Sequence, residues 1–281
     1  MLKYRELAGR GVAVGILALS LSGCAAVAQL TDEAGNLLEN SAGVNDVITA
    51  DAPFRGSPSE KYADGAAGIA IPEATRVKWF SKTDVAWAYR KAKKLIEARH
   101  LDEQTLLGGR PTAYADQLHP RLRKEFLKYL DHKDQDEDTR AWVTSFAPGK
   151  VDLVGLVIKV QSTLSPSVKI VENRRELHVT HESRIVYAVK PKGKPGPIQR
   201  VMVYDKSVFE FWRERSGGRL NVWQGDHIEG WSANTRCDIS DSFYHPDFNL
   251  TGSGGTGPAQ DPYKEQAKPL KEGECGAVTG V

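Results

Sequence analysis

Glu176-Leu177-His178-Val179-Thr180-His181-Glu182-Ser183-Arg184-Ile185-Val186-Tyr187-Ala188-Val189-Lys190 is the stretch on which the fold turns. Leu177, Val179, Ile185, Tyr187 and Val189 recur at a spacing of two, so they share one face of a long β-strand. His178 and His181 have the H-x-x-H spacing that suits a metal on a helix. On a strand an odd separation sends the two rings to opposite faces. His181 then falls on the apolar face as a satisfied core histidine, and Glu182 with Arg184 on the other face makes a weak surface pair.

Period two extends in both directions from this stretch. Upstream, Val154, Leu156, Ile158 and Val160 predict a first strand; Ser165-Pro166-Ser167 breaks it, and a short strand over 168–171 leads to a turn at Asn173-Arg174-Arg175. Downstream, Lys190 to Pro197 is a Pro/Gly loop, and Val201, Val203, Phe209 and Phe211 mark the inner face of the next strand. Ser216-Gly217-Gly218 then turns the chain back. A turn centred between Ser216 and Gly217 sets Phe211 opposite Val222, Arg213 opposite Leu220 and Phe209 opposite Gln224. That register keeps the apolar set on one face. Trp212 and Trp223 fall on a diagonal of the reverse face, where they would make a stacking platform for a sugar ligand or lie under a helix.

Before the strands the period is helical. Ser81 and Asp84 form a capping-box start, followed by Val85, Tyr89, Ala92 and Ile96, with Arg90, Lys91, Lys93 and Lys94 on a solvated side. Shorter helices follow over 101–107, 114–118 and 120–130, the last with Pro120 at its start. Helices first and an antiparallel meander after them predict an α+β fold, with N-terminal helices packed on a curved, mostly antiparallel sheet of four to five strands.

Asp134, Asp136 and Asp138 have the alternate spacing that opens a calcium loop. The sixth and twelfth positions are Thr139 and Ser145 rather than Gly and Glu, so the acidic run reads as a solvated loop. There is no Gly-flanked serine, zinc signature or phosphate loop, and therefore no implied cofactor or metal. The best catalytic candidates are His245 with Asp238 or Asp247, in a loop whose polar residues equally suit turns stiffened by Pro246.

The N-terminus says where the protein sits. Lys3, Arg5 and Arg10 precede an apolar run from Gly11 to Leu21, the layout of a secretory signal. The run is about half of the roughly 20 residues a membrane-crossing helix needs. Its ending, Leu21-Ser22-Gly23-Cys24, resembles the lipobox of bacterial lipoproteins. The resemblance implies that Cys24 becomes the acylated first residue of the mature chain, with the membrane as its partner on the extracytoplasmic face of the cell envelope. Loss of residues 1–23 takes three of 38 basic and one of 36 acidic residues, leaving 35 of each. A mature chain without net charge has no concentrated basic face for nucleic acid.

The organisation that follows is a signal peptide over 1–23, a flexible stalk over 24–75 spanning on the order of 40 Å, an α+β domain over 76–250 and a tail over 251–281. With Cys24 lipidated, Cys237 and Cys275 are left as a disulfide pair in an oxidising compartment. The loop of about 39 residues would contribute about 4 kcal/mol and pin the tail. The run from Thr105 to Pro120, Val186-Tyr187-Ala188-Val189, and Cys237 followed by Tyr244-His245-Pro246 resemble a group of actinobacterial exported proteins with no assigned activity. The element order is also similar to the NTF2-like cone fold. Together these predict a lipid-anchored envelope protein whose domain binds a small ligand or a protein partner without chemistry. A cell-envelope hydrolase built on His245 is the alternative.

Overall fold

Ser81 starts the first long helix as its sequence requires. The Ser81 side chain accepts a hydrogen bond from the Asp84 N–H, and the Asp84 carboxylate accepts one from the Ser81 N–H at 2.9 Å. Helix α1, Lys82–His100, follows, and it buries Val85, Ala88, Tyr89, Ala92, Leu95 and Ile96 at the three- and four-residue spacing of one face. Three shorter helices succeed it: α2 Glu103–Leu106, α3 Thr112–Ala115 and α4 Pro120–Lys128. The computed structural model describes residues 48–215, 217–236, 238–248, 261–264 and 281. Cys24, Cys237 and Cys275 lie outside them, as do the lipobox and most of the tail.

Among the described residues the sheet has six strands rather than four to five: β1 Ala63–Asp64, β2 Val151–Leu153, β3 Lys159–Val171, β4 Arg174–Pro191, β5 Gln199–Trp212 and β6 Asn221–Ala233. Its order is β1-β3-β4-β5-β6, with β2 also paired to β4, and every pairing between these strands is antiparallel. It is an open sheet, not a barrel. The α+β order and the antiparallel meander are those read from the sequence. The hairpin register is too: Phe211 faces Val222 and Phe209 faces Gln224.

Two expectations need correction. The single strand read over Val154–Val160 is two strands on the same edge of β4. Leu153 pairs with Val189 and Lys159 with Val186, so five residues span two of β4; Val154 stays buried and donates to the Ala188 carbonyl, and the bulge begins at Gly155. Gly155 turns at positive φ, and Leu156 is 99% exposed rather than inward. Conversely, Ser165-Pro166-Ser167 does not break β3, which runs through it with Pro166 opposite Val179. β1 covers the outer edge of β3 only at Lys159 and Val160. Pro166 therefore lies on an exposed edge, where a missing N–H costs no ladder hydrogen bond. The β3–β4 turn itself centres on Glu172 and Asn173, both at positive φ as a two-residue hairpin turn requires.

Residues 48–75, read as the end of the stalk, pack on the domain. Phe54 is buried, and the Arg200 guanidinium donates to the carbonyls of Pro53 and Arg55 at 2.7 Å each. Lys93, read as solvated, donates to the carbonyls of Ala66 and Ile69. Val281 joins the same small apolar cluster as Phe54 and Met202. The larger core lies between α1 and the inner face of β4 and β5, where Tyr187, Phe209 and Phe211 are fully buried. Among the described residues no helix is long and apolar enough to cross a membrane.

The Asp84 cap gives a pH signature. Partial burial raises its carboxyl, but the hydrogen bonds from Ser81 and the Arg213 guanidinium outweigh that and hold it below the usual range. The stabilisation is therefore complete above the unfolded value, near 3.9, and is lost as pH falls through the folded value. Asp84→Ala should lower unfolding free energy by about 1 kcal/mol at neutral pH. In denaturant titrations the gap to wild type should close as the solution is acidified.

Candidate functional site

The inner face of the sheet is interrupted by a polar layer. On β4, His181 and Ser183 separate Val179 from Ile185; on β5, Asp205 and Ser207 separate Val203 from Phe209. The register sets His181 opposite Ser207 and Ser183 opposite Asp205, so the two interruptions coincide. The last residues of α1, Arg99 and His100, lie over this layer. On the far side of β5 the ladder to β6 slips between Lys206 and Ser207 and again before Phe209, which brings His227 opposite Ser207. Such bulges re-aim side chains. Gly230 leaves room for the re-aimed ring, since a Cβ there would stand 2.7 Å from His227 Cε1 and Nε2.

Asp205 is the centre of the layer, with its side chain 4% exposed. Arg99 Nη2 is 3.1 Å from Oδ1, and His227 Nε2 is 3.3 Å from the same oxygen. Oδ2 accepts hydrogen bonds from His181 Nδ1 at 3.1 Å and Ser207 Oγ at 3.0 Å, and His100 Nε2 stands 3.7 Å away. Arg99 Nη1 also donates to Ser207 Oγ at 3.1 Å. His100 Nδ1 bonds Thr144 Oγ1 at 2.8 Å, and the Tyr187 hydroxyl donates to the His100 carbonyl.

The electrostatics follow from burial. Burial alone would raise the Asp205 carboxyl, but the Arg99 charge and the imidazoles of His100, His181 and His227 hold it well below the usual carboxylate range. Burial lowers His100 to about 4, with the Arg99 charge adding to it against the pull of Asp205. Burial lowers His181 as well, again against Asp205. At neutral pH the layer therefore holds one carboxylate, one guanidinium and two neutral imidazoles. His100 Nε2, His181 Nε2 and Arg99 Nε are buried with no hydrogen-bond partner, and a buried polar atom left so costs about 1–3 kcal/mol.

A cavity of about 240 Å³ opens over this layer, bordered by Arg99, His100, Thr144, Asp205, His227 and Tyr244. Its wall over 141–144 is held by Arg140, whose side chain is 2% exposed. The Arg140 guanidinium grips Asp131 through Nε and Nη2 at 2.8 and 3.0 Å, and donates to the Gly109 carbonyl and Ser145 Oγ. The acidic run serves this wall. Asp138 accepts from the Arg140 and His132 N–H groups, and Asp134 accepts from the Asp136 N–H.

Of the residues singled out in the sequence, His181 lies in this layer and the others lie elsewhere. His245 Nε2 bonds both oxygens of Asp241, at 2.9 and 3.0 Å, in a surface loop. Asp238 pairs with Arg236, while the Asp247 N–H donates to the Asn234 carbonyl. Only the neighbouring Tyr244 borders the cavity. Trp212 and Trp223 do meet, with centroids 6.2 Å apart and planes at 56°. Arg174 lies over the Trp212 ring at 4.7 Å and His119 lies 6.3 Å from Trp223, so both rings have packing partners. His178 and His181 are on opposite faces, and His178 Nε2 bonds Glu176 at 2.8 Å. The sequence carries one signal for Asp205, the double interruption of the β4 and β5 inner faces, and none for Arg99 and His100 on α1 or His227 on β6.

Comparison with protein families, curated proteins and solved structures gives no match for the chain.

Arg140→Met removes four hydrogen bonds to fixed acceptors from a buried position. A hydrogen bond to a charged group contributes about 1.5–3 kcal/mol, so the variant should lose at least one such increment. Hydrogen exchange should quicken selectively over 138–145, the segment that walls the cavity.

Proposed function

We propose that the chain is a lipid-anchored extracytoplasmic lipoprotein whose α+β domain binds a small polar ligand, without chemistry, in the cavity over Asp205. One observation carries this reading: a buried, charged and hydrogen-bonding floor lies beneath a cavity with aromatic and imidazole walls. Pockets of this kind take small molecules, with a few polar groups fixing orientation. At about 240 Å³ the space is below the roughly 300–1,000 Å³ of drug-sized sites, so the ligand is small.

The basic, apolar and lipobox order of the first 24 residues supports export and acylation of Cys24. One acyl chain binds only marginally, and a second makes anchoring stable. In the same compartment Cys237 and Cys275 form a disulfide. Helices laid over the inner face of an antiparallel sheet, with a cavity between them, support an NTF2-like cone. Against the hydrolase alternative, His245 is tied to Asp241 and Asp238 to Arg236 on a surface loop.

Two readouts on the full chain in its own cells test the proposal. Cys24→Ala should move the protein out of the membrane fraction, and the wild-type mass should carry acyl chains on Cys24. Native mass spectrometry of membrane-extracted protein should show a small co-purifying molecule. Ala141→Trp should lose it, because Ala141 is an exposed residue on the cavity rim where a large ring can block the opening without disturbing the core. An unmodified Cys24 overturns the anchor. An adduct equal in both proteins, or missing from wild type, overturns the cavity as the binding site.

A further inference from the structure

We infer that His100, His181 and Asp205 bind one divalent transition-metal cation, and that an anionic oxygen of the cavity's ligand completes its coordination. The inference rests on the reading of the cavity as a binding site and names what holds the ligand there.

The three side chains each offer a ligand atom, all within 4.8 Å of one another and all buried. His181 Nδ1 and His100 Nε2 stand 3.1 and 3.7 Å from Asp205 Oδ2. Donors at about 2.0–2.1 Å from a tetrahedral zinc ion stand roughly 3.3–3.4 Å apart, so these separations need only small side-chain adjustments. Two imidazoles and a carboxylate are a donor set for zinc, iron and their neighbours rather than for magnesium or calcium.

The surroundings fit the same role. His100 Nε2 is fully buried without a hydrogen-bond partner, and a cation would meet its lone pair. Thr144 Oγ1, 2.8 Å from His100 Nδ1, would then accept the Nδ1 proton and fix the ring, as outer partners of metal-bound histidines do. His181 would carry its proton on Nε2, which is buried without a partner, so metal binding through Nδ1 offsets the cost of that donor rather than removing it. Arg99 and His227 both address Oδ1 of Asp205; with His181 Nδ1 turned to the metal, the ion would share Oδ2 with the Ser207 hydroxyl alone.

Charge decides the remaining ligand. Arg99 already neutralises Asp205, so a divalent ion with two neutral imidazoles leaves the site with surplus positive charge. An uncompensated buried charge is costly. His100 and Asp205 both border the cavity while His181 lies behind them, so a further ligand would reach the ion from the side of His100 and Asp205. A carboxylate or another anionic oxygen donor from the cavity would offset the surplus. Glu176, His178 and Glu210 form a second metal-capable group, but none of the three borders the cavity.

Titration of the full-length, detergent-extracted chain with zinc and with cobalt(II) tests this. One equivalent should bind, with visible cobalt bands that shift on addition of acetate. His100→Gln and His181→Gln should abolish the bands, while His178→Gln should leave them unchanged. Thr144→Val, which removes no ligand and is the milder change, should weaken binding by about tenfold should the histidine variants fail to fold. No uptake by wild type, uptake lost through His178→Gln alone, or bands indifferent to acetate would overturn the inference. A small-molecule adduct that survives on protein free of metal overturns the metal while leaving the cavity reading intact.

Discussion

A carboxylate sealed between a helix and a sheet has to be answered by the groups around it, and in this chain Asp205 sets what those groups are. Moving an ion from water into a protein interior costs several kcal/mol even after relaxation. The Arg99 guanidinium, the imidazoles of His181 and His227 and the Ser207 hydroxyl offset it. These partners come from the end of α1, the middle of β4, β5 itself and the bulged part of β6. Satisfying one side chain therefore fixes how four elements meet. Apolar packing above and below the layer, from Val179 and Phe209 on one side and Ile185 and Val203 on the other, supplies the bulk of the burial. That packing would tolerate several helix positions; the polar layer accepts one.

A buried ion pair is a poor device for stability alone, because well-packed apolar residues of similar size often do as well or better. This layer also leaves nitrogens of His100, His181 and Arg99 without partners. A core selected only to hold together would not keep those unpaired atoms beneath an opening. The cost makes sense where the groups meet something that arrives from the cavity, and the wall carried by Arg140 keeps that cavity in place.

Much of the fold was legible because it rests on local periodicity. The Ser81–Asp84 cap, the apolar face of α1, the long β4 strand and the Phe211–Val222 register all follow from spacing and turn chemistry. Leu156 and Pro166 were misread for opposite reasons. An alternating pattern does not reveal that Gly155 lets the chain bulge outward, and a proline is silent when its strand is an outer edge. Residues 48–75 read as linker because Gly, Ala and Pro dominate them. Their attachment depends on Arg200 and Lys93, whose partners are distant in sequence. The site was the least legible part. His181 was placed correctly on the inner face, but its partners at 99, 100, 205 and 227 come from three other elements, and no short motif joins them. The loop with His245 drew attention because histidine and carboxylates were adjacent in sequence, and that adjacency satisfies itself on the surface.

Arg99 and Asp205 act as one unit at the contact of helix and sheet. A double-mutant cycle with Arg99→Met, Asp205→Leu and the double variant, read by denaturant unfolding, measures this directly. A coupling of about 2 kcal/mol or more is predicted, because each single variant strands a buried charge and the double variant strands none. Additive losses would contradict it and would mean that the helix is set on the sheet by apolar packing alone.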